Sequence, residues 1–260
     1  MKLAVCYPWA SPFVFTNFVD ATLNMQHPKE CEVKYFRGRG WCPAKRHLTM
    51  CEEAINWGAH LICIIGADQV HPQDMLIRLV DRWHQGYEVV TVLVPARGYV
   101  AWQPMKPFQP MAYRFKTNTE LGETDIKNIK YREYENIEKS KDLLHVVTRL
   151  DADENGMARC NFIGSGVLLF EEAHLRALDK PWFYETVETE TQTRLACMDS
   201  KFVWRLQAEA GATIWVDTTI FVKHIHAFEI DDTFSDRFAD WANRDTGDFN
   251  ICNFKPEEYK

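Results

Sequence analysis

Short apolar runs and amphipathic stretches alternate through the first hundred residues. Residues 2–7 (KLAVCY) form an apolar strand-like run that Pro8 ends, and roughly 13–25 carries helical spacing. Residues 32–37 (EVKYFR) alternate as a second strand would, before Gly38, Gly40 and Pro43 punctuate a loop. From about Ala44 to Trp57, Leu48, Cys51, Ala54 and Ile55 recur at core spacing, with Gly58 placed to cap the helix. The run 60–65 (HLICII) reads as a strand buried on both faces. After Pro72 a helix would bury Met75, Leu76, Leu79, Val80 and Trp83 and stop at Gly86, leading into an apolar strand over 88–94. Such alternation predicts βαβ units, here four strands joined by three right-handed crossovers.

Beyond Pro95 the periodicity becomes irregular. Residues 96–142 hold three prolines, a hairpin-like piece around Met111 to Phe115 and a charged segment from Lys127 to Lys141, which together read as an insertion over one face. Order returns with an extended stretch from Leu144 to Arg149, a turn over Asp151 to Gly156, and one strand from Ala158 to Phe170 interrupted by Gly164-Ser165-Gly166. Glycines inside a strand mark a bulge or a close backbone approach to a ligand. A helix from about Ser200 to Ala210, capped by Gly211, precedes strands at Thr213 to Val216 and Ile220 to Ile225. The resulting organisation is a domain over 1–226, comprising halves at 1–95 and 143–226 around the 96–142 insertion, and a wrapping tail over 227–260.

Composition narrows the class. The 260 residues are 46% hydrophobic and 13% aromatic, enough for one large core. The net charge of -7 works against a broad nucleic-acid or anionic-membrane surface, although Arg37, Arg39, Lys45, Arg46 and the Lys127 to Lys141 segment leave a local basic groove open. Eight cysteines with no C-x-x-C pair, several of them inside apolar patterns, suit reduced thiols in a cytoplasmic protein. No apolar run approaches a membrane span, and Pro8 interrupts the N-terminal run without a following cleavage signal.

The chemistry concentrates at the end of the 60–65 run, in Gly66-Ala67-Asp68-Gln69-Val70-His71-Pro72. Ligands and metals collect beyond the carboxyl ends of parallel strands, which puts Asp68 where a hard cation and a diphosphate could meet. With the glycine-interrupted strand, Met198-Asp199-Ser200-Lys201-Phe202 opening a late helix, Ala210-Gly211-Ala212 closing it, and Val222-Lys223-His224 ending a late strand, this order resembles the GT-A nucleotide-sugar glycosyltransferases. The resemblance runs from residue 1 to about 226. In that family the third strand ends in D-x-D, and here glycine stands in place of the first acid, at Gly66.

The resemblance implies an α/β GT-A fold: a Rossmann-like, mainly parallel twisted sheet with helices on both faces and a small antiparallel piece. It implies transfer of a hexose or pentose from a UDP- or GDP-sugar to a hydroxyl acceptor. An inverting family two-like enzyme is the first expectation, and a retaining one similar to mannosylglycerate synthase the second. Asp68 and His224 would bind Mn²⁺ or Mg²⁺, Asp199 would act as the general base, and Tyr7, Pro8, Arg37, Arg46, Asp68 and Gln69 would hold the donor. Gly164, Ser165, Gly166 and Trp182 would face the acceptor, and Trp9, Trp41, Trp102 and Tyr184 are further loop aromatics suited to stacking on a sugar or base.

Read without the family, the same residues leave plainer roles open. Asp68 suits a turn before Pro72, Asp199 suits a helix cap, and His226 could replace His224 as a ligand. Gly66 also leaves open a nucleotide-sugar-binding protein without turnover. A viral enzyme glycosylating hydroxymethylpyrimidines in DNA is a further option. Nucleotidyl transfer fits poorly, because Tyr7-Pro8-Trp9-Ala10-Ser11-Pro12 is no glycine-rich basic phosphate loop.

Overall fold

A computed structural model describes residues 1–9, 14–40, 42–95, 111–116, 126–130, 143–164, 166–184, 186–187, 194–196 and 198–225. The first half builds β1 (Lys2–Tyr7), α1 (Thr16–Leu23), β2 (Glu32–Arg37), α2 (Pro43–Trp57), β3 (Leu61–Ile65), β4 (Gln69–Val70), α3 (Met75–His84) and β5 (Val89–Leu93). The second adds β6 (Ala112–Phe115), β7 (Leu144–Val146), β8 (Met157–Cys160), β9 (Phe162–Ile163), β10 (Val167–Glu171), α4 (Glu172–Arg176), β11 (Thr186–Val187), β12 (Arg194–Ala196), α5 (Met198–Ala208), β13 (Ile214–Phe221) and β14 (Lys223–His224).

Seven strands form one mixed sheet in the order β2-β1-β3-β10-β5-β13-β8. β1 is parallel to β2 and β3, and β5 is parallel to β13, whereas β10 runs antiparallel between β3 and β5 and β8 runs antiparallel at the far edge. β3 is wholly buried, as its unbroken LICII run requires. Alternate side chains of each strand enter two cores: Ala4 and Cys6 join Met50, Ala54 and Phe202 on one face, while Leu3 and Val5 join Phe18, Leu76 and Leu79 on the other. Thus α2, α4 and α5 cover one face, and α1 and α3 the other. The α/β class with helices on both faces and a small antiparallel sheet, β7-β6-β9, is the one the sequence implies.

Two local expectations change, and the strand order adds a feature that the pattern along the chain does not carry. The stretch 158–170 is three strands in two sheets: β8 edges the large sheet, β9 joins the small one, and β10 crosses back through the centre. The breaks fall at Asn161 and at Gly164 to Gly166, and the two turns let one apolar run serve three positions. β3 and β5 therefore are not neighbours, and β10 separates them. Finally, the two strands expected at 213–216 and 220–225 are one strand, β13, which spans Ile214–Phe221 with a register shift between Asp217 and Phe221 and is followed by the short β14. There the buried Asp217 takes a bond from Arg82 Nε at 2.8 Å and from the Thr219 amide at 2.9 Å, which fixes the irregularity.

Within the 96–142 stretch, β6 pairs with β7 and β9. Phe115, Ile126, Ile129, Leu144 and Phe162 form a third apolar cluster there, with Trp204 of α5 packed against it. Most of that stretch and the 227–260 tail lie outside the described residues. No helix among the described residues is long and apolar enough to cross a membrane, and Cys6, Cys31, Cys42, Cys51, Cys63 and Cys160 are free thiols.

Candidate active site

A cleft of about 620 Å³ opens at the carboxyl ends of the parallel strands. Because β10 runs the other way, its amino-terminal end comes to the same edge, and Gly164 and Gly166 line the cleft beside Gly66, Ala67, Asp68 and Gln69. The Gly66 amide donates to the Gly166 carbonyl at 2.7 Å, and the Thr91 hydroxyl donates to the Val167 carbonyl at 2.6 Å. These bonds fasten the ends of β3 and β5 to the start of β10. Pro8 and Trp9 follow β1 into the cleft, and the first turn of α2 contributes Pro43, Arg46 and His47. Asp199 enters from the first turn of α5, and His224 from β14.

Asp68 and His224 meet through a two-stranded ribbon. β14 pairs antiparallel with β4, with His224 opposite Gln69, and the Ile225 amide donates to the Asp68 carbonyl at 2.7 Å. Asp68 Oδ2 lies 3.5 Å from His224 Nε2. His224 Nδ1 is 2.8 Å from the Pro95 carbonyl, which can only accept, so Nδ1 donates there, and in the neutral ring Nε2 presents its lone pair toward Asp68. A carboxylate and an imidazole lone pair at this spacing can share one divalent cation whose ligand bonds are roughly 2.0–2.2 Å. Among the described residues no third His, Cys, Asp or Glu joins them, so the donor set fits a cation completed by oxygens of another molecule.

Gly66 stands where the resemblance anticipates a first acid, and a side chain there would crowd two neighbouring side-chain ends. A Cβ there would come within 2.9 Å of Gln69 Nε2 and 3.0 Å of Asp68 Oδ1. A Cβ at Gly166 would approach Gln69 Nε2 to 2.3 Å. The buried Gln69 carboxamide thus fills the room between the two glycines, at the floor of the cleft.

The anticipated residues divide into two groups. Pro8, Arg46, Asp68, Gln69, Gly164, Gly166, Asp199 and His224 all border the cleft. Tyr7, Arg37 and Trp182 are not among its lining residues. Tyr7 is buried against Phe18 and Tyr35, where desolvation pushes its phenol upward. Arg37 lies over the ring of the cleft-lining Trp9, 4.8 Å from its centroid. Trp182 is 4% exposed in the α2/α5 core. Ser165, Trp41, Trp102 and His226 fall outside the described residues.

One lining residue went unnoticed in the sequence. His47 sits on the buried face of α2 with Met50, Cys51 and Ala54, at i, i+3, i+4 and i+7. A polar residue in that core slot was the available signal. Its Nδ1 is 2.9 Å from the Pro43 carbonyl, and burial lowers its pKa, while the neighbouring Asp199 carboxylate and the Pro43 carbonyl raise it and Arg46 lowers it further.

No family model matches the chain, and no curated protein matches it. Among solved structures it is similar to A197 from STIV, at 10% identity and a TM-score of 0.48, over 87% of this chain and 86% of that one. It is also similar to S. aureus TarS, at 13% identity and a TM-score of 0.42, over 94% of this chain and 40% of that one. TarS 1–349 in complex with UDP matches at 11% identity and a TM-score of 0.40, over 94% of this chain and 67% of that one. The chain thus spans less than half of the first of these TarS chains.

Proposed function

We propose that the chain is a nucleotide-sugar glycosyltransferase that moves a hexose or pentose from a UDP- or GDP-sugar to a hydroxyl acceptor. The observation that carries this reading is the convergence of Asp68 and His224 in the cleft that Asp199 also lines. Mn²⁺ or Mg²⁺ bound by Asp68 and His224 would neutralise charge on the departing diphosphate. Arg46 and the amino-terminal turn of the fifteen-residue α2 add positive potential to the same wall. Trp9, braced by Arg37, offers an aromatic face to a base or sugar.

In an inverting transfer, Asp199 would take the proton from the acceptor hydroxyl as that oxygen bonds to the anomeric carbon. The bond from the anomeric carbon to the diphosphate breaks, and its electron pair leaves with the nucleoside diphosphate. In a retaining transfer Asp199 would only orient the acceptor. A cytoplasmic setting, where nucleotide sugars are made and thiols stay reduced, suits the free cysteines.

A second reading is donor binding without turnover. It draws on the Gln69 carboxamide occupying the room beside Gly66, where an acid would otherwise strengthen the cation site. Release of nucleoside diphosphate from a panel of UDP- and GDP-sugars, with and without Mn²⁺, separates the two. Turnover of any donor supports transfer. Saturable donor binding with no turnover on any hydroxyl acceptor, hydroxymethylated DNA included, supports the binding protein.

A further inference from the structure

His47 is buried to 4% exposure, and its Nε2 has no hydrogen-bond partner among the described residues. Leaving an imidazole nitrogen unpaired in a protein interior is costly unless something uses it. The proton on Nδ1 is fixed by the Pro43 carbonyl, because a carbonyl oxygen offers no hydrogen, and Nε2 of the neutral ring is therefore a pure acceptor. The ring lines the cleft together with Asp199.

The two groups are held by shared packing. Phe183 lies 5.2 Å from the His47 ring and 4.2 Å from the Phe202 ring, so a single aromatic side chain bridges α2 and α5. The loop bearing Phe183 is tied to α5 by Arg205, which donates to the carbonyls of Asp179 and Pro181 at 2.9 and 2.8 Å. Four influences act on the His47 charge: burial disfavours it most, the Asp199 carboxylate from α5 and the Pro43 carbonyl favour it, and Arg46 on its own helix disfavours it. The balance lowers the imidazole's pKa, which favours the neutral ring, in a cleft wall that Asp199 also lines.

Resting on the reading of this cleft as a glycosyl-transfer site, we infer that His47 is the positioning partner of Asp199: its Nε2 accepts a hydrogen bond from the Asp199 carboxyl once that group has taken the acceptor's proton. Atoms balance as follows. The acceptor O–H bond breaks, the oxygen bonds to the anomeric carbon, the diphosphate departs with the electron pair, and the proton rests between Asp199 and His47 until it passes to solvent. A carboxylate alone is a weak base toward an alcohol, and a neutral imidazole behind it stabilises the protonated form without adding charge to the cleft.

The test combines His47→Asn, whose side-chain amide can keep the bond to Pro43, with Asp199→Asn. His47→Asn is expected to lower kcat about 10- to 100-fold with little change in donor KM, within the scale of general acid–base effects. The acid limb of its kcat profile should move to lower pH, because the proton then has only the carboxylate to occupy. A purely structural histidine would leave that limb in place, and an unchanged kcat and limb would overturn the inference. Nitrogen-15 NMR of the imidazole is independent of turnover. The inference expects the Nδ1–H tautomer in the wild type and a lower protonation midpoint for His47 in Asp199→Asn, and an unmoved midpoint would overturn it. Absence of transfer by the wild type would instead remove the glycosyltransferase reading, while the NMR midpoint still decides whether the two groups are coupled.

Discussion

Asp68 and His224 come from opposite halves of the chain, yet Asp68 Oδ2 and His224 Nε2 lie 3.5 Å apart because β14 folds back onto β4. Their convergence depends on two ladder pairs and on the Ile225 amide bonding to the Asp68 carbonyl.

Asp68→Ala and His224→Ala should each lower nucleoside-diphosphate release roughly 10²–10³-fold, the scale for removing one group that stabilises developing charge. Both side chains sit partly open at the cleft, so thermal unfolding midpoints should move little. Parallel turnover and melting measurements check this.

Gly166→Ala would drive a Cβ to 2.3 Å from Gln69 Nε2. The carboxamide is buried, at 2% exposure, and cannot swing into solvent without vacating the cleft floor. A loss of about 1–3 kcal/mol is expected in urea unfolding, as for overpacking elsewhere. Adding Gln69→Ala should recover much of it, and a non-additive double mutant would locate the clash. Gly66→Asp, which restores the acid of D-x-D, should likewise need Gln69→Ala before it improves metal-dependent donor binding.

Asp217 is fully buried and paired with Arg82 at 2.8 Å. Asp217→Ala leaves a guanidinium without its counter-charge, and a loss of about 3–5 kcal/mol in urea unfolding is expected. The register shift of β13 depends on the same carboxylate, so donor binding through His224 should weaken as well.

Two buried histidines set an acid limit on stability. Burial lowers the pKa of His47 and of His71 below the ordinary 6.5. The folded state therefore holds fewer protons than the unfolded one once the pH falls below that value. Stability is full above about pH 6.5 and declines as pH drops toward the folded pKa values, by up to about 1.4 kcal/mol per histidine per pH unit. Unfolding free energies at pH 7.5 and 5.5 should differ accordingly, and His71→Gln should flatten the dependence.

Much of the sheet was legible because burial on both faces forces continuous apolar runs. β1, β3 and β5 fall within a residue of where the pattern places them. The order of strands was not legible, since VLLF reads the same whether β10 lies at an edge or antiparallel between β3 and β5. For the cleft, position beside a strand end was informative: Asp68 follows β3, Gly164 follows β9, Gly166 precedes β10, and all three reach it. Trp182 reads in the sequence as an aromatic facing the acceptor, and the structure places it at 4% exposure in the core shared with α2 and α5. His47 is the converse case. Its chemistry depends on the Pro43 carbonyl and on α5, which helical periodicity does not reveal.

Crystals soaked with Mn²⁺ and UDP or GDP test the central claim most directly. The account predicts an anomalous peak bonded to Asp68 Oδ2 and His224 Nε2, with diphosphate oxygens completing the coordination. A bound nucleotide in the cleft with no manganese at either side chain, under the same soak, would contradict it.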